Sequence, residues 1–303
     1  MRLGADPDQL ERLARFFDAA ADRVRSAERV VGGTRAHLPV VQRAAYRLLA
    51  ELEPALRRLA DRLAARANDL RRRAARQRNL STPIPGIVTI RDDPDGDGRW
   101  IGRAGPDDAR TVVVMVPGVG SHLGHRRRLG REAARFSRHL RARYPDEDVT
   151  VLAWLGYDAP DTVLAGVDRR PAVTGATTLA ADLRDLQSAG VERIVLVGHS
   201  YGALVATRAV AAGVLVDELV LLGAPGLGVD DPSQLRLAPG GHIWSAVEDD
   251  DRVAWVARTG VLHGPDPARS ARPLPTAEHG HARYLSDSVL IEALGEVVTG
   301  RRR

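Results

Sequence analysis

The chain has 303 residues, with 44 Lys and Arg against 39 Asp and Glu, a formal net charge of +5 and no cysteine. That length accommodates one large domain plus a smaller unit, and the lack of cysteine excludes disulfides, cysteine nucleophiles and thiolate metal sites. With 4% aromatic residues and no nucleic-acid motif, the clusters Arg71-Arg72-Arg73, Arg126-Arg127-Arg128 and Arg301-Arg302-Arg303 read as solvated surface, and no nucleic-acid partner is expected.

The opening Met1-Arg2-Leu3-Gly4-Ala5-Asp6 lacks the apolar core of a signal peptide, and no later apolar run reaches membrane-spanning length. A cytoplasmic protein without a membrane span is the expectation. Residues 1–80 are rich in Ala, Leu, Arg and Glu with no evident strand, whereas 81–303 bring Gly, Pro and β-branched runs. The chain therefore divides into a helical hairpin or bundle module and an α/β domain, joined through Ser81-Thr82-Pro83-Ile84-Pro85-Gly86.

The first helix is expected to start at Asp6-Pro7-Asp8-Gln9, with Asp6 as cap, Pro7 at N1 and Gln9 placed for a capping box. Its apolar face runs through Leu10, Leu13, Phe17, Ala20 and Val24, and Gly32-Gly33 offers a turn. A second helical run carries Leu48, Leu52, Leu56, Leu59, Leu63 and Leu70, with Pro54 as a point of bending or interruption. The module is expected to bury its apolar stripe against the α/β domain, with binding of another protein as the alternative.

Strands are expected at Ile87–Ile90, Thr111–Val116, Val149–Trp154, Arg193–Val197, Glu218–Leu222 and His242–Val247, with Asp93-Pro94-Asp95-Gly96 as a hairpin turn before Trp100-Ile101. The continuous apolar character of the inner runs predicts a largely parallel sheet covered by helices on both faces. Asp161 to Thr178 is a candidate lid, and Pro171 and Gly175 argue there against an uninterrupted helix.

Gly198-His199-Ser200-Tyr201-Gly202 follows the run Ile194-Val195-Leu196-Val197 and opens an alanine-rich stretch. A G-x-S-x-G pentapeptide in a strand-turn-helix setting is a nucleophile elbow, which marks Ser200 as the candidate nucleophile. Val112-Val113-Val114-Met115-Val116 leads into Pro117-Gly118-Val119-Gly120-Ser121. A main-chain amide of that turn, of Val119 or Gly118, is expected to join the Tyr201 amide around a developing oxyanion.

Such a serine needs a base, and the base needs an acid to orient it. Glu248-Asp249-Asp250-Asp251 follows the last long strand candidate, and Asp251 is favoured because Arg252-Val253 comes after it, with Asp250 next. In Glu278-His279-Gly280-His281 the favoured base is His281, with His279 in reserve; His199 is expected to support the elbow by packing or a hydrogen bond. His122 and His125 have no carboxylate at a ligand spacing, and Gly118-Val119-Gly120 lacks the rest of a dinucleotide fingerprint. No metal or cofactor is expected.

Val116-Pro117-Gly118-Val119-Gly120, Ala153 through Pro160, the Ser200 pentapeptide, Gly223-Ala224-Pro225-Gly226, and His281 followed by Tyr284 together resemble the actinobacterial α/β-hydrolase family catalogued as a domain of unknown function, DUF1023. The resemblance spans Ile87 to Leu294 and implies an α/β-hydrolase fold. It also implies a hydrolytic triad of Ser200, an acid within Asp249–Asp251, and His281, with Trp154–Pro160 shaping the cleft. Ala224 departs from the serine common in related chains. The resulting expectation is a serine hydrolase acting on a small-molecule acyl substrate, an ester first, through an acyl-enzyme. The alternatives are an amidase or thioesterase, or an inactive protein-interaction module.

Overall fold

A computed structural model describes residues 7–37, 52–67, 70, 82–93, 99–162, 165–248, 251, 263–277, 280–281 and 284–302. The chain separates into two compact units, Met1–Pro83 and Ile84–Arg303.

In the first unit, α1 spans Pro7–His37 and α2 covers 52–67. Ala14 clusters with Ala67 and Leu70, while Glu28 pairs with Arg57 at 2.7 Å, so the two helices run antiparallel. The seam differs in detail from the leucine stripe expected. Ala14, Ala21, Ala60 and Ala67 are buried, whereas Leu13, Leu52 and Leu59 are exposed. Spaced at intervals of seven, the small side chains let the helices approach closely and leave several leucines at the edge of the contact. Gly32-Gly33 makes no turn, since α1 continues through it to His37. Likewise, Pro54 does not interrupt 52–67. Leu48 lies outside the described residues, as do Asp6 and the side chains of Gln9 and Leu10.

The second unit is built on an eight-stranded sheet: β1 Val88–Asp93, β2 Arg99–Ala104, β3 Thr111–Val116, β4 Val149–Leu155, β5 Arg193–His199, β6 Glu218–Leu222, β7 His242–Ala246 and β8 Arg272–Pro273. The order is β1-β2-β4-β3-β5-β6-β7-β8. β1, β2 and β4 pair antiparallel and every other neighbour is parallel. Every residue of β4 and β6 is buried, as the unbroken apolar runs predicted. β1 is a largely exposed edge strand, starting one residue later than expected and running on to Asp93. The hairpin turn at Pro94–Gly96 lies outside the described residues.

Helices α3 Arg126–Arg143, α4 Arg170–Ser188, α5 Tyr201–Ala211 and α6 Ser288–Val298 follow in chain order. One face of the sheet, with Val112, Val114, Ile194, Leu196, Leu219 and Leu221, packs against α4 and α5. The alternate residues Val113, Val151, Val195 and Val220 are fully buried on the opposite face, where α3 packs over β2 and β4 and touches α6. This is an α/β-hydrolase fold with a mixed, mostly parallel sheet, preceded by a helical module.

The segment expected as a lid is largely helix. α4 starts at Arg170 and is not broken by Pro171 or Gly175. Pro171 falls at the start of the helix, where its missing N–H costs nothing. A Cβ at Gly175 would sit 2.9 Å from the Cβ of Tyr157, so that glycine serves close packing and not flexibility. Val163 and Leu164 lie outside the described residues, and Val173 points to solvent. Among the described residues, no helix is long and apolar enough to cross a membrane.

Candidate active site

β5 ends at His199, α5 begins at Tyr201, and Ser200 alone makes the turn with φ 55° and ψ −126°. It is the single non-glycine with positive φ among the described residues, a conformation that the surrounding structure has to hold. Two backbone bonds do so: the Ser200 amide donates to Leu222 O at 2.8 Å, and the Ala203 amide donates to Ser200 O at 3.0 Å. Close approach does the rest. A Cβ at Gly202 would collide with the carbonyl oxygens of Val116 and Pro117, one at Gly198 would reach the Ala203 backbone, and one at Gly118 would lie 2.7 Å from Ser200 Cβ.

The turn after β3 is pinned at both ends. The Tyr157 hydroxyl donates to Pro117 O at 2.7 Å, and the Gly120 amide donates to Pro160 O at 2.7 Å. Gly118 and Val119 lie between these anchors and line the same cavity as Ser200. Tyr201 places its backbone at the first turn of α5, while its side chain is buried, donating to Asp168 O and accepting from the Ala172 amide. Trp154 is also buried and donates to Asp182 at 2.7 Å, so in the Trp154–Pro160 segment it is Tyr157 and Pro160 that reach the site by holding its turn.

Ser200, His281 and Asp251 come together. His281 Nε2 lies 2.7 Å from Ser200 Oγ, and His281 Nδ1 lies 2.8 Å from Asp251 Oδ2. A carboxylate accepts only, so Nδ1 carries the proton and Nε2 accepts from the serine hydroxyl. Asp251 is buried, and its Oδ2 also accepts from the Tyr284 hydroxyl at 2.7 Å. That hydroxyl in turn accepts from the Glu248 amide at 3.0 Å. Burial pushes the Tyr284 phenol well up, which keeps it a donor to the carboxylate. Gly223, at φ 55°, leaves the room: a Cβ there would sit 2.7 Å from both Asp251 Oδ2 and Tyr284 Cε2. Asp249, Asp250 and His279 lie outside the described residues.

His199 supports this arrangement from the elbow, donating from Nε2 to His281 O at 2.8 Å with the two rings 5.0 Å apart. Burial first, and then the neighbouring His281 ring, lower its pKa from the usual 6.5 to about 4. The rings of His122 and His125 lie 4.1 Å apart, tilted by 52°, and His122 Nδ1 accepts from the Gly124 amide. Among the described residues, no three His, Cys, Asp or Glu side chains form a metal-binding group.

The cavity beside Ser200 has a volume of about 310 Å3. Sequence reasoning had not placed Tyr284 on the acid or Arg128, Leu129 and Glu132 on the cavity wall. For Tyr284 the available signal was its place three residues after His281. For the α3 residues there is none, because the fold brings Arg128, the farthest of them, 72 positions to Ser200, and Glu132, the nearest, 68.

Tyr284→Phe removes the donor to Asp251 and the acceptor for the Glu248 amide, and is expected to cost ~1–3 kcal/mol in urea unfolding at pH 7; a loss below about 0.5 kcal/mol would mean the hydroxyl is dispensable. His199 predicts a second effect. Its folded pKa is depressed, so between pH 6.5 and about 4 the unfolded chain binds more protons, and stability present above 6.5 is lost as pH falls towards 4. The loss is on the order of 3 kcal/mol at most. Urea titrations at pH 7 and 4.5 should show a smaller decline for His199→Gln than for wild type, and equal declines would contradict this.

A family model described as alpha/beta hydrolase matches residues 93–261. The uncharacterized protein Rv0963c of Mycobacterium tuberculosis is 33% identical over 184 residues, covering 56% of this chain and 69% of that protein. Another from the same organism, Rv2079, is 28% identical over 176 residues, covering 55% of this chain and 27% of that protein. Among solved structures, XC6422 from Xanthomonas campestris, described as an a/b serine hydrolase without lid, is 17% identical with a TM-score of 0.43, covering 73% of this chain and 98% of that one. From the family match and the mycobacterial relative, the chain belongs to the alpha/beta hydrolase family.

Proposed function

We propose that this protein is a serine hydrolase of the DUF1023 type that cleaves a carboxylic ester through a Ser200–His281–Asp251 triad. The observation that carries the reading is the pair of contacts at His281, 2.7 Å to a serine hydroxyl on one ring nitrogen and 2.8 Å to a buried carboxylate on the other. These distances lie within the range over which a base takes a proton from its nucleophile.

In this mechanism His281 Nε2 takes the Ser200 proton as Oγ adds to the acyl carbon. The carbonyl π electrons move to oxygen, and the oxyanion faces the main-chain amides of Tyr201 and of Val119 or Gly118. Collapse expels the alcohol, which leaves with the proton from His281, and the acyl group stays on Ser200. Water then gives its proton to His281 and adds to the acyl carbon. The second collapse releases the carboxylic acid and returns the proton to Ser200 Oγ. Asp251 remains ionised throughout and stabilises the imidazolium that forms twice. An amide or thioester would follow the same steps with a different leaving group.

Fluorophosphonate labelling with peptide mapping tests the assignment. Wild type should be modified at Ser200 and Ser200→Ala should not, with 4-nitrophenyl ester turnover falling at least ~10³-fold in the variant. A folded wild type that remains unlabelled and inactive would overturn the reading in favour of a non-catalytic, protein-binding role.

A further inference from the structure

The cavity beside Ser200 has two kinds of wall. Met115, Ala153 and Val197, at the ends of three strands, form an apolar side with Leu129, while Arg128 and Glu132 bring charge from α3. Arg128 and Glu132 lie one helical turn apart and share one hydrogen bond, Nη1 to Oε1 at 3.0 Å. The guanidinium has five N–H donors and the glutamate takes one. The Arg128 side chain is 50% exposed against 20% for Glu132, so the carboxylate braces the guanidinium while half of this cavity-lining side chain stays uncovered.

The surroundings are biased towards an anion. The first turn of α3 carries Arg126, Arg127 and Arg128 with no acidic residue; Arg126 is buried with Asp92 near it, and Arg128 is the one of the three that lines the cavity. Such a basic first turn is the reverse of what the helix dipole favours at an N-terminus. A local rule broken in this way points to a functional demand. An exposed ion pair contributes at most about 1 kcal/mol, so the contact with Glu132 does not by itself account for the arrangement. Arg131 lies on the following turn, and Arg135 donates to the carbonyl of Leu285, another cavity residue, at 2.7 Å. Opposing charges among the described residues are Glu132 on the cavity wall, Asp251 behind the His281 ring, Glu248 beside Tyr284 and Asp92 near Arg126.

We infer that the ester substrate carries a free carboxylate, held by Arg128, at the end of an apolar chain that lies against the strand-end side of the cavity. The substrate class is thus a monoester of a dicarboxylic acid, with the esterified carboxyl at Ser200 and the ionised one at the guanidinium, whose planar fork matches a carboxylate. This inference rests on the hydrolase reading proposed above.

The test compares the mono-4-nitrophenyl ester of adipic acid with 4-nitrophenyl hexanoate, which has the same chain length and no charge, in wild type, Arg128→Gln and Arg128→Lys, with folding of each checked by thermal unfolding. Wild type should favour the charged ester by about tenfold or more in kcat/KM. Arg128→Gln should bring the ratio near one, mainly through KM, with Arg128→Lys intermediate. A wild-type ratio of one or below, or an Arg128→Gln loss equal for both esters, overturns the inference while leaving the hydrolase reading intact. If neither ester is cleaved and Ser200 is not labelled, the hydrolase reading itself fails. Should Ser200 be labelled without turnover of either ester, protection from the fluorophosphonate decides: adipate protecting and hexanamide not protecting supports the carboxylate site, and equal protection overturns it.

Discussion

The site depends on how closely the backbone approaches itself around Ser200. The turn from β5 into α5 takes one residue, and that residue adopts a left-handed conformation that costs an L-amino acid on the order of 1–3 kcal/mol. The absence of side chains at Gly118, Gly198 and Gly202 allows the end of β3, the elbow and the first turn of α5 to close on one another. The buried core beneath them offsets the strain. β3, β5 and β6 are paired in parallel register, and the Ser200 amide is tied to the last residue of β6. A serine held this way projects at the carboxyl ends of the strands, beside the turn that follows β3.

Among the described residues, one carboxylate oxygen of Asp251 gathers two hydrogen bonds. Asp251 Oδ2 accepts from both His281 and Tyr284, and the tyrosine hydroxyl passes the chain on to the Glu248 amide. Burying a carboxylate is expensive unless hydrogen bonds to it replace water. The donors from His281 and Tyr284 contribute to that replacement and fix the direction from which the imidazole approaches. His199, held neutral by burial, anchors the His281 backbone and adds no second cation next to the ring. Asp251, His281 and the Ser200 turn are thereby linked through Tyr284 and His199.

Much of this was legible from residue order. β3 and β6 have the bounds their apolar runs predicted, because a strand buried on both faces admits no polar alternation. The turn at Ser200 was legible because a G-x-S-x-G pentapeptide stands between an apolar strand run and an alanine-rich helical run. The two-residue β8 carries no periodicity and contains a proline, so nothing in the sequence marked it. Gly32-Gly33 reads as a turn by local propensity, but helix α1 runs through it, where a few unfavourable residues are outweighed by the rest of the helix. Pro171 was read as a breaker although the first turn of a helix is where proline is tolerated. Three consecutive aspartates differ little in sequence context: Arg252-Val253 after it favours Asp251 only slightly over Asp250, whereas its contact with His281 is a long-range feature that residue order does not encode. Arg128 and Glu132 reach the cavity only through the packing of α3 over the sheet, a long-range property that a local pattern does not encode.

The claim most open to direct test is that Ser200 becomes covalently acylated and is then released by water. Intact-protein and peptide mass spectrometry after millisecond quenching of wild type with a 4-nitrophenyl ester would read this directly. A transient mass increase equal to the acyl group is expected, located on the peptide containing Ser200 and decaying at the rate of turnover. Turnover without acylation of Ser200, or stable acylation at another residue, would contradict it.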